Sequence, residues 1–176
     1  MGPALLMILF LLGTEPAFAW TLTSSLSPDG GEERVILIQK AETPVARRFG
    51  GLTRPELTIQ CVRDRISFSI NYGFHLSVDE LEVMTRLDEE PVQHSRWSSG
   101  SNHGSIGPLR RETSLAFIRA LIGKKKLEVR LTPYRQESIS TTFNLTGLEE
   151  EIGEVAEACG WSIQGRVWAR RPSEEA

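Results

Sequence analysis

The stretch that most limits how this chain can fold is residues 126–161, KLEVRLTPYRQESISTTFNLTGLEEEIGEVAEACGW. Leu127, Val129 and Leu131 alternate with Glu128 and Arg130, the period of two of a half-buried strand. Pro133 and the polar run to Ser138 make a turn, and residues 139–145 are rich in β-branched and aromatic side chains, which favours a second strand. Thr146 and Glu149 have the spacing of a capping box, in which each side chain satisfies the other residue's backbone N–H. Beyond them Leu148, Ile152, Val155 and Cys159 recur at helical spacing and share one face. Gly160 is placed to stop that helix and Trp161 to fold back on it. A strand pair followed by an amphipathic helix needs a sheet for that helix to cover.

The other end of the chain reads as a targeting segment. Residues 4–12 (ALLMILFLL) have the length of a secretory apolar core and are too short to cross a bilayer. Ala17-Phe18-Ala19 gives the small-x-small pattern of a cleavage site, so residues 1–19 are expected to be a signal peptide and Trp20 the mature N-terminus. The leading Met1-Gly2-Pro3 carries no Lys or Arg, which is atypical of such a segment. No cysteine follows the apolar core, which argues against a lipid anchor, and no later stretch is apolar enough to span a membrane. The expectation is a periplasmic or secreted protein with no stable membrane insertion after cleavage.

Export changes how the two cysteines read. Disulfides persist in an oxidising compartment, and two cysteines allow a single pairing. Cys61 closes a strand whose inward set is Leu57, Ile59 and Cys61, and Cys159 lies on the apolar face of the last helix. Both point into one core where a helix covers a sheet, so a Cys61–Cys159 bond is expected. The competing reading is two separate buried thiols, since free cysteine packs as a small hydrophobe. Nothing in the chain has Cys-x-x-Cys spacing, so a pair here is a staple and not a redox centre.

Between these ends the chain reads mostly as hairpins. Residues 33–41 contain a continuous apolar core, Val35 to Ile38, suited to a central strand. Residues 44–55, with Gly50-Gly51 and three arginines, read as a loop. Strands at 57–62 and 66–72 flank Arg63-Asp64-Arg65, with Ile66, Phe68, Ile70 and Tyr72 on one face. A second hairpin joins 82–87 to 92–97 across Asp88-Glu89-Glu90-Pro91. Residues 98–108 (SSGSNHGSIGP) read as a flexible polar loop. Residues 111–122 form a helix, with Leu115, Ile118 and Ile122 on one face and Gly123 as its stop. The chain has 176 residues, one domain's worth, with an ordinary apolar fraction of 40%. The fold class is therefore α+β: an antiparallel sheet of hairpins packed with two helices, a single domain stapled by one disulfide.

Composition excludes some functions. A net charge of −3 argues against nucleic acid as a partner. Lys124-Lys125-Lys126, the one basic cluster, follows a helix C-terminus, where cations suit the dipole; the alternative is a phosphate or lipid contact. Glu149-Glu150-Glu151 likewise suits a helix start. Asn144-Leu145-Thr146 fits a glycosylation pattern, but Thr146 is better explained as the helix cap. His75, His94 and His103 have no metal-ligand spacing, and there is no phosphate-cradling glycine loop, so neither metal nor cofactor is expected. Ser101-Asn102-His103 invites a nucleophile-and-base reading, but a triad needs a buried carboxylate to orient its histidine. No catalytic residue is assigned, and the chain is expected not to be an enzyme. Arg96, Trp97, Asn102 and His103 combine a cation, a large aromatic and a loop tip, which suits recognition of a partner protein. For Trp97 the alternative is a core residue that closes the sheet.

Several motifs occur together in a known order. Leu131-Thr132-Pro133-Tyr134, Thr142-Phe143-Asn144-Leu145-Thr146-Gly147-Leu148 and Ala158-Cys159-Gly160-Trp161 resemble the end of the type VI secretion-associated TagO/VasI family. Leu57-Thr58-Ile59-Gln60-Cys61, Arg96-Trp97-Ser98 and residues 115–121 resemble its cysteine-ending strand, its Arg-Trp-Ser element and its amphipathic helix. The likeness runs over residues 33–161 and places a family-like domain at 20–161. Fifteen residues follow it, 162–176, whose alternation of Ile163, Gly165 and Val167 suggests one extra edge strand before a disordered tail. The resemblance implies an exported accessory protein of a bacterial secretion system, with apparatus components as partners. The alternative is a stand-alone periplasmic binding or inhibitor protein on the same fold.

Overall fold

The computed structural model describes residues 20–26, 33–77, 79–163 and 166–167. The expected signal peptide and the tail beyond residue 167 lie outside the described residues. In chain order the elements are β1 (Thr21–Leu26), β2 (Glu33–Lys40), β3 (Val45–Ala46), β4 (Leu52–Thr53), β5 (Glu56–Val62), β6 (Arg65–Asn71), β7 (Leu81–Leu87) and β8 (Gln93–Ser99). They continue with β9 (Ser105–Gly107), α1 (Arg111–Leu121), β10 (Lys126–Leu131), β11 (Ile139–Asn144), α2 (Leu148–Ala158), β12 (Ser162–Ile163) and β13 (Arg166–Val167). Nine strands form one antiparallel sheet in the order β1-β2-β5-β6-β9-β8-β7-β10-β11. The α+β class and the hairpins read from the sequence are those of the structure.

Alternation explains most of the sheet. Leu57, Ile59 and Cys61 of β5 are buried and face Ile70, Phe68 and Ile66 across the β5–β6 pair. Arg63 and Asp64 both take positive φ, 53° and 56°, the twist a two-residue hairpin loop requires. In β10 Leu127, Val129 and Leu131 are buried between β7 on one side and β11 on the other. Glu128 points outward, where Lys126 Nζ lies 2.9 Å from one carboxylate oxygen and Arg86 Nε donates to the other at 2.7 Å.

The sheet curls until β11 returns to β2. The backbone N–H of Glu42 donates to Thr142 O at 2.8 Å, and Gln39 Nε2 donates to Asn144 O at 2.8 Å. Inside the curl the Thr141 hydroxyl donates to the Tyr72 hydroxyl oxygen at 3.2 Å, and both residues are buried. Burial drives the Tyr72 phenol far above its ordinary pKa, against which the Thr141 hydrogen bond acts weakly. Tyr72 therefore stays neutral and serves as a packed, satisfied polar group.

The two helices cover this sheet at different places. The α2 helix packs on β2 and β5, burying Leu148, Ile152, Val155 and Ala156. Its end is a Schellman turn: Trp161 N–H donates to Ala156 O and Gly160 N–H to Glu157 O, both at 3.1 Å, with Gly160 at φ 60°. The adjacent Cys159 is bonded to Cys61 with the Cα atoms 5.6 Å apart, and the residues are 3% and 1% exposed. The expected staple is thus formed, and the free-thiol reading falls. The α1 helix lies on β6. Its buried stripe is Ser114, Ile118 and Leu121, with Leu115 and Ile122 only half-buried. The buried face is rotated from the expected one because Ser114, a polar residue, belongs to it; its hydroxyl donates to Pro108 O and accepts from Phe68 N–H.

The structure corrects four local readings. The Thr146–Glu149 capping box is absent: Gly147, at φ 85°, holds the N-cap position without a side-chain bond, and Asn144 Oδ1 accepts the Thr146 N–H instead. The lysine cluster does not simply sit at a helix end. Lys124 pairs with Glu90 and Lys126 with Glu128, while Asp88 Oδ1 accepts the Lys125 and Lys126 N–H groups. The 44–55 segment carries a small hairpin, β3–β4. The polar 98–108 segment is no flexible loop, for β8 runs into it and β9 sits within it, bridging β6 and β8. A Cβ on Gly107 would lie 2.3 Å from Phe68 O, so only glycine lets β9 approach β6 so closely. Beyond Trp161, β12 and β13 pair with each other in a separate two-stranded sheet.

Two measurements follow. The disulfide closes a separation of 98 residues, which the chain-entropy model values at about 4–5 kcal/mol. Urea unfolding of Cys61→Ala/Cys159→Ala should show that loss, and an unchanged midpoint would contradict it. The Glu128 carboxyl is held below its ordinary value of 4.5 chiefly by the Lys126 hydrogen bond, then by Arg86. A lowered folded pKa stabilises above the ordinary carboxyl range, and the contribution fades as pH falls through the folded value. Glu128→Gln should therefore be less stable than the parent at neutral pH and converge with it in acid.

Candidate functional site

The strand β8 divides its side chains between core and surface. Trp97 is 2% exposed and meets Phe68 and Phe117 edge-to-face, with ring centroids 5.7 and 5.2 Å apart. Of the two readings of Trp97, the structure shows the core one: it joins β8 to β6 and to α1. Its neighbour Arg96 faces out, as alternation demands.

Around Arg96 the surface is concave. Asp79, Glu80, Arg96, Ser98 and Ser99 line an open polar cleft of about 500 Å³. The Ser98 hydroxyl donates to Glu80 Oε1 at 3.4 Å and the Ser99 hydroxyl to Ser77 O at 2.8 Å, which ties Ser77 and Glu80 to β8. On the other side of Arg96 a groove runs between β8 and α1, floored by Trp97 and Phe117 and bordered by Leu109, Arg110 and Thr113. Arg96 stands on the ridge between a polar and a more apolar depression. Such a cation can pair a carboxylate while its stem covers apolar surface.

Asn102 and His103 lie past the end of β8, in the turn that leads into β9. Asn102 Oδ1 accepts from Gly104 N–H and Ser105 N–H, each at 3.1 Å, and from the Ser105 hydroxyl at 2.8 Å. That side chain shapes the turn. His103 takes φ 52°, and its carbonyl accepts the Leu76 N–H at 2.7 Å. Its ring is half-buried beside His75, centroids 5.6 Å apart, with Nδ1 buried and without a hydrogen-bond partner among the described residues. Sequence spacing gave no hint of this histidine pair, because only the β6–β9 pairing brings the two loops together. Among the described residues no group of three or more His, Cys, Asp or Glu is placed to hold a metal. His94 is exposed on the sheet surface, its Nδ1 3.2 Å from Glu82 Oε1. Within the Ser101-Asn102-His103 run, the Asn102 amide oxygen is engaged in its own turn.

A curled antiparallel sheet, two covering helices and a sheet-to-helix disulfide define the class of domain. A family model for type VI secretion system VasI, EvfG proteins matches residues 15–161. The chain belongs to that family. No curated protein matches it. The crystal structure of invasion associated protein B from Bartonella henselae is similar at a TM-score of 0.51 and 10% identity, covering 80% of this chain and 94% of that one. At that identity the likeness concerns the fold alone.

The Trp97 and Arg96 roles separate experimentally. Trp97→Ala should cost about 3–5 kcal/mol of stability, the usual penalty for emptying a core aromatic site. Arg96→Ala should stay within about 0.5 kcal/mol of the parent. Chemical denaturation of both variants checks this, and a Trp97→Ala protein as stable as the parent would contradict it.

Proposed function

We propose that this chain is an exported, non-enzymatic accessory protein of a bacterial type VI secretion system that acts through protein contacts in the periplasm. In this reading residues 1–19 are removed on export, 20–161 form the working domain and 162–176 are an appendage to it. Family membership supports the link to the secretion system. The observation that carries the location is the buried Cys61–Cys159 bond, since such a bond persists in an oxidising compartment. No helix among the described residues is long and apolar enough to cross a membrane, in keeping with a peripheral role.

The contact surface we assign is the ridge of Arg96 with the adjoining turn of Asn102 and His103, held rigid by Trp97 beneath. An exposed arginine between two depressions, with the carboxylates of Asp79 and Glu80 beside it, suits docking of a partner surface of mixed charge. Affinity capture of the tagged protein from the native envelope should recover components of the secretion apparatus. Arg96→Glu should reduce that recovery roughly tenfold, the scale of a lost interface arginine. Capture that brings down no apparatus component would sink the proposal.

The polar cleft beside Arg96 favours a second reading, a stand-alone periplasmic binding or inhibitor protein that takes a small ligand there. That reading needs a ligand that raises the unfolding temperature through Arg96 while secretion components fail to bind.

A further inference from the structure

The excursion between β2 and β5 is built as a finger. Residues 43–55, TPVARRFGGLTRP, contain three arginines and no acidic residue, in a chain whose net charge is −3. The β3–β4 pairing makes a hairpin closed by Arg47 N–H to Gly51 O at 3.0 Å and Gly50 N–H to Arg47 O at 3.2 Å. Gly50 and Gly51 take φ 89° and 78°, values that suit glycine at such a tip. The base is fixed: Val45 is buried, and Arg54 Nη1 donates to Ala41 O at 2.8 Å and Glu42 O at 2.7 Å. This scaffold holds Phe49 93% exposed and Leu52 66% exposed, with the Arg48 guanidinium 5.3 Å from the Phe49 ring centroid.

A lone exposed apolar residue needs no explanation, but two on a braced tip collared by cations do. A second aromatic–arginine pair lies at the same end of the sheet. Tyr134, 59% exposed, has the Arg135 guanidinium 5.1 Å from its ring centroid, in the β10–β11 turn. That turn is tied to the 72–77 segment by Tyr134 N–H to Leu76 O at 2.8 Å. Gly73 of that segment lies against Thr53 of the finger. Glu137 offsets Arg135 in the turn, so the excess positive charge belongs to the finger.

We infer that the β3–β4 finger docks on an anionic phospholipid surface, with Phe49 and Leu52 entering the headgroup boundary and Arg47 and Arg48 pairing lipid phosphates. Apolar side chains at a tip with arginines immediately behind match the layering of a bilayer interface, where rings and chains sit deeper than the charges that serve phosphate. Tyr134 and its arginine then rest at the same level, as amphipathic aromatics do at membrane boundaries. Binding of this kind is peripheral and reversible and leaves the domain folded.

Vesicle flotation of the full chain tests this, with vesicles of equal parts phosphatidylglycerol and phosphatidylethanolamine set against neutral phosphatidylcholine. Whatever the N-terminal segment contributes is common to parent and variants, so the difference between them reports the finger. The parent should float with the anionic vesicles and lose that binding as salt rises. Phe49→Ser/Leu52→Ser and Arg47→Gln/Arg48→Gln should each lower the bound fraction roughly tenfold with thermal unfolding unchanged. Phe49→Trp should retain binding and add a blue-shifted emission on the anionic vesicles. Undiminished flotation of the serine variant, equal binding to neutral vesicles, or no shift at Trp in place of Phe49 would each overturn the inference. So would a parent that binds no vesicle while the finger variants lose capture of envelope proteins.

Discussion

The bond between Cys61 and Cys159 is the constraint on which the rest of the fold depends. It joins Cys61, near the end of β5, to Cys159, the residue that caps the covering helix, two points separated in sequence by most of the domain's length. The helix has a strong reason to lie there, since its apolar face covers β2 and β5. Eleven residues of helix are nonetheless marginal on their own. The covalent tie removes the open states in which α2 swings away and exposes the inner face of the sheet. Because the Schellman turn ends the helix directly at Cys159, the bond and the helix stop reinforce one another.

A fixed sheet in turn fixes its loops. The β9 strand is the hinge piece of this arrangement: three residues that join the β1-β2-β5-β6 half to the β8-β7-β10-β11 half. Its pairing to β6 brings the 72–77 and 100–104 loops side by side, and its pairing to β8 sets the ridge that carries Arg96. The curl that returns β11 to β2 gathers the finger, the 72–77 segment and the β10–β11 turn at one end. The domain thus carries an exposed arginine on β8 and an apolar, arginine-collared tip at the sheet end.

Much of this was legible in the sequence because the signals are local or alternating. The strand of Leu57, Ile59 and Cys61, the β10 alternation, the α2 face and the Gly160 stop all announce themselves within a few residues. The disulfide followed from placing two such patterns in one core. What escaped notice is non-local. The β9 strand has only Ile106 as a side chain of strand character, and it is specified by the room that Gly107 leaves for Phe68 O. The β1 strand is a mostly polar edge whose pairing comes from β2. The lysine cluster found its partners in Asp88, Glu90 and Glu128, across a hairpin that no spacing rule links to it. The capping box failed for a local reason: Gly147 turns the chain left-handed and takes the position that Thr146 was expected to hold. At the candidate site, the outward aim of Arg96 follows from strand alternation. The His75–His103 contact and the braced finger required the whole topology.

The most direct test of the account is peptide mapping of unreduced protein recovered from the periplasmic fraction of its native cell. The account predicts one cross-linked species that joins the peptides containing Cys61 and Cys159, with no sulfur open to alkylation before reduction, and an N-terminal peptide that begins at Trp20. Recovery of both cysteines as alkylated thiols, in a chain still carrying residues 1–19, would contradict it.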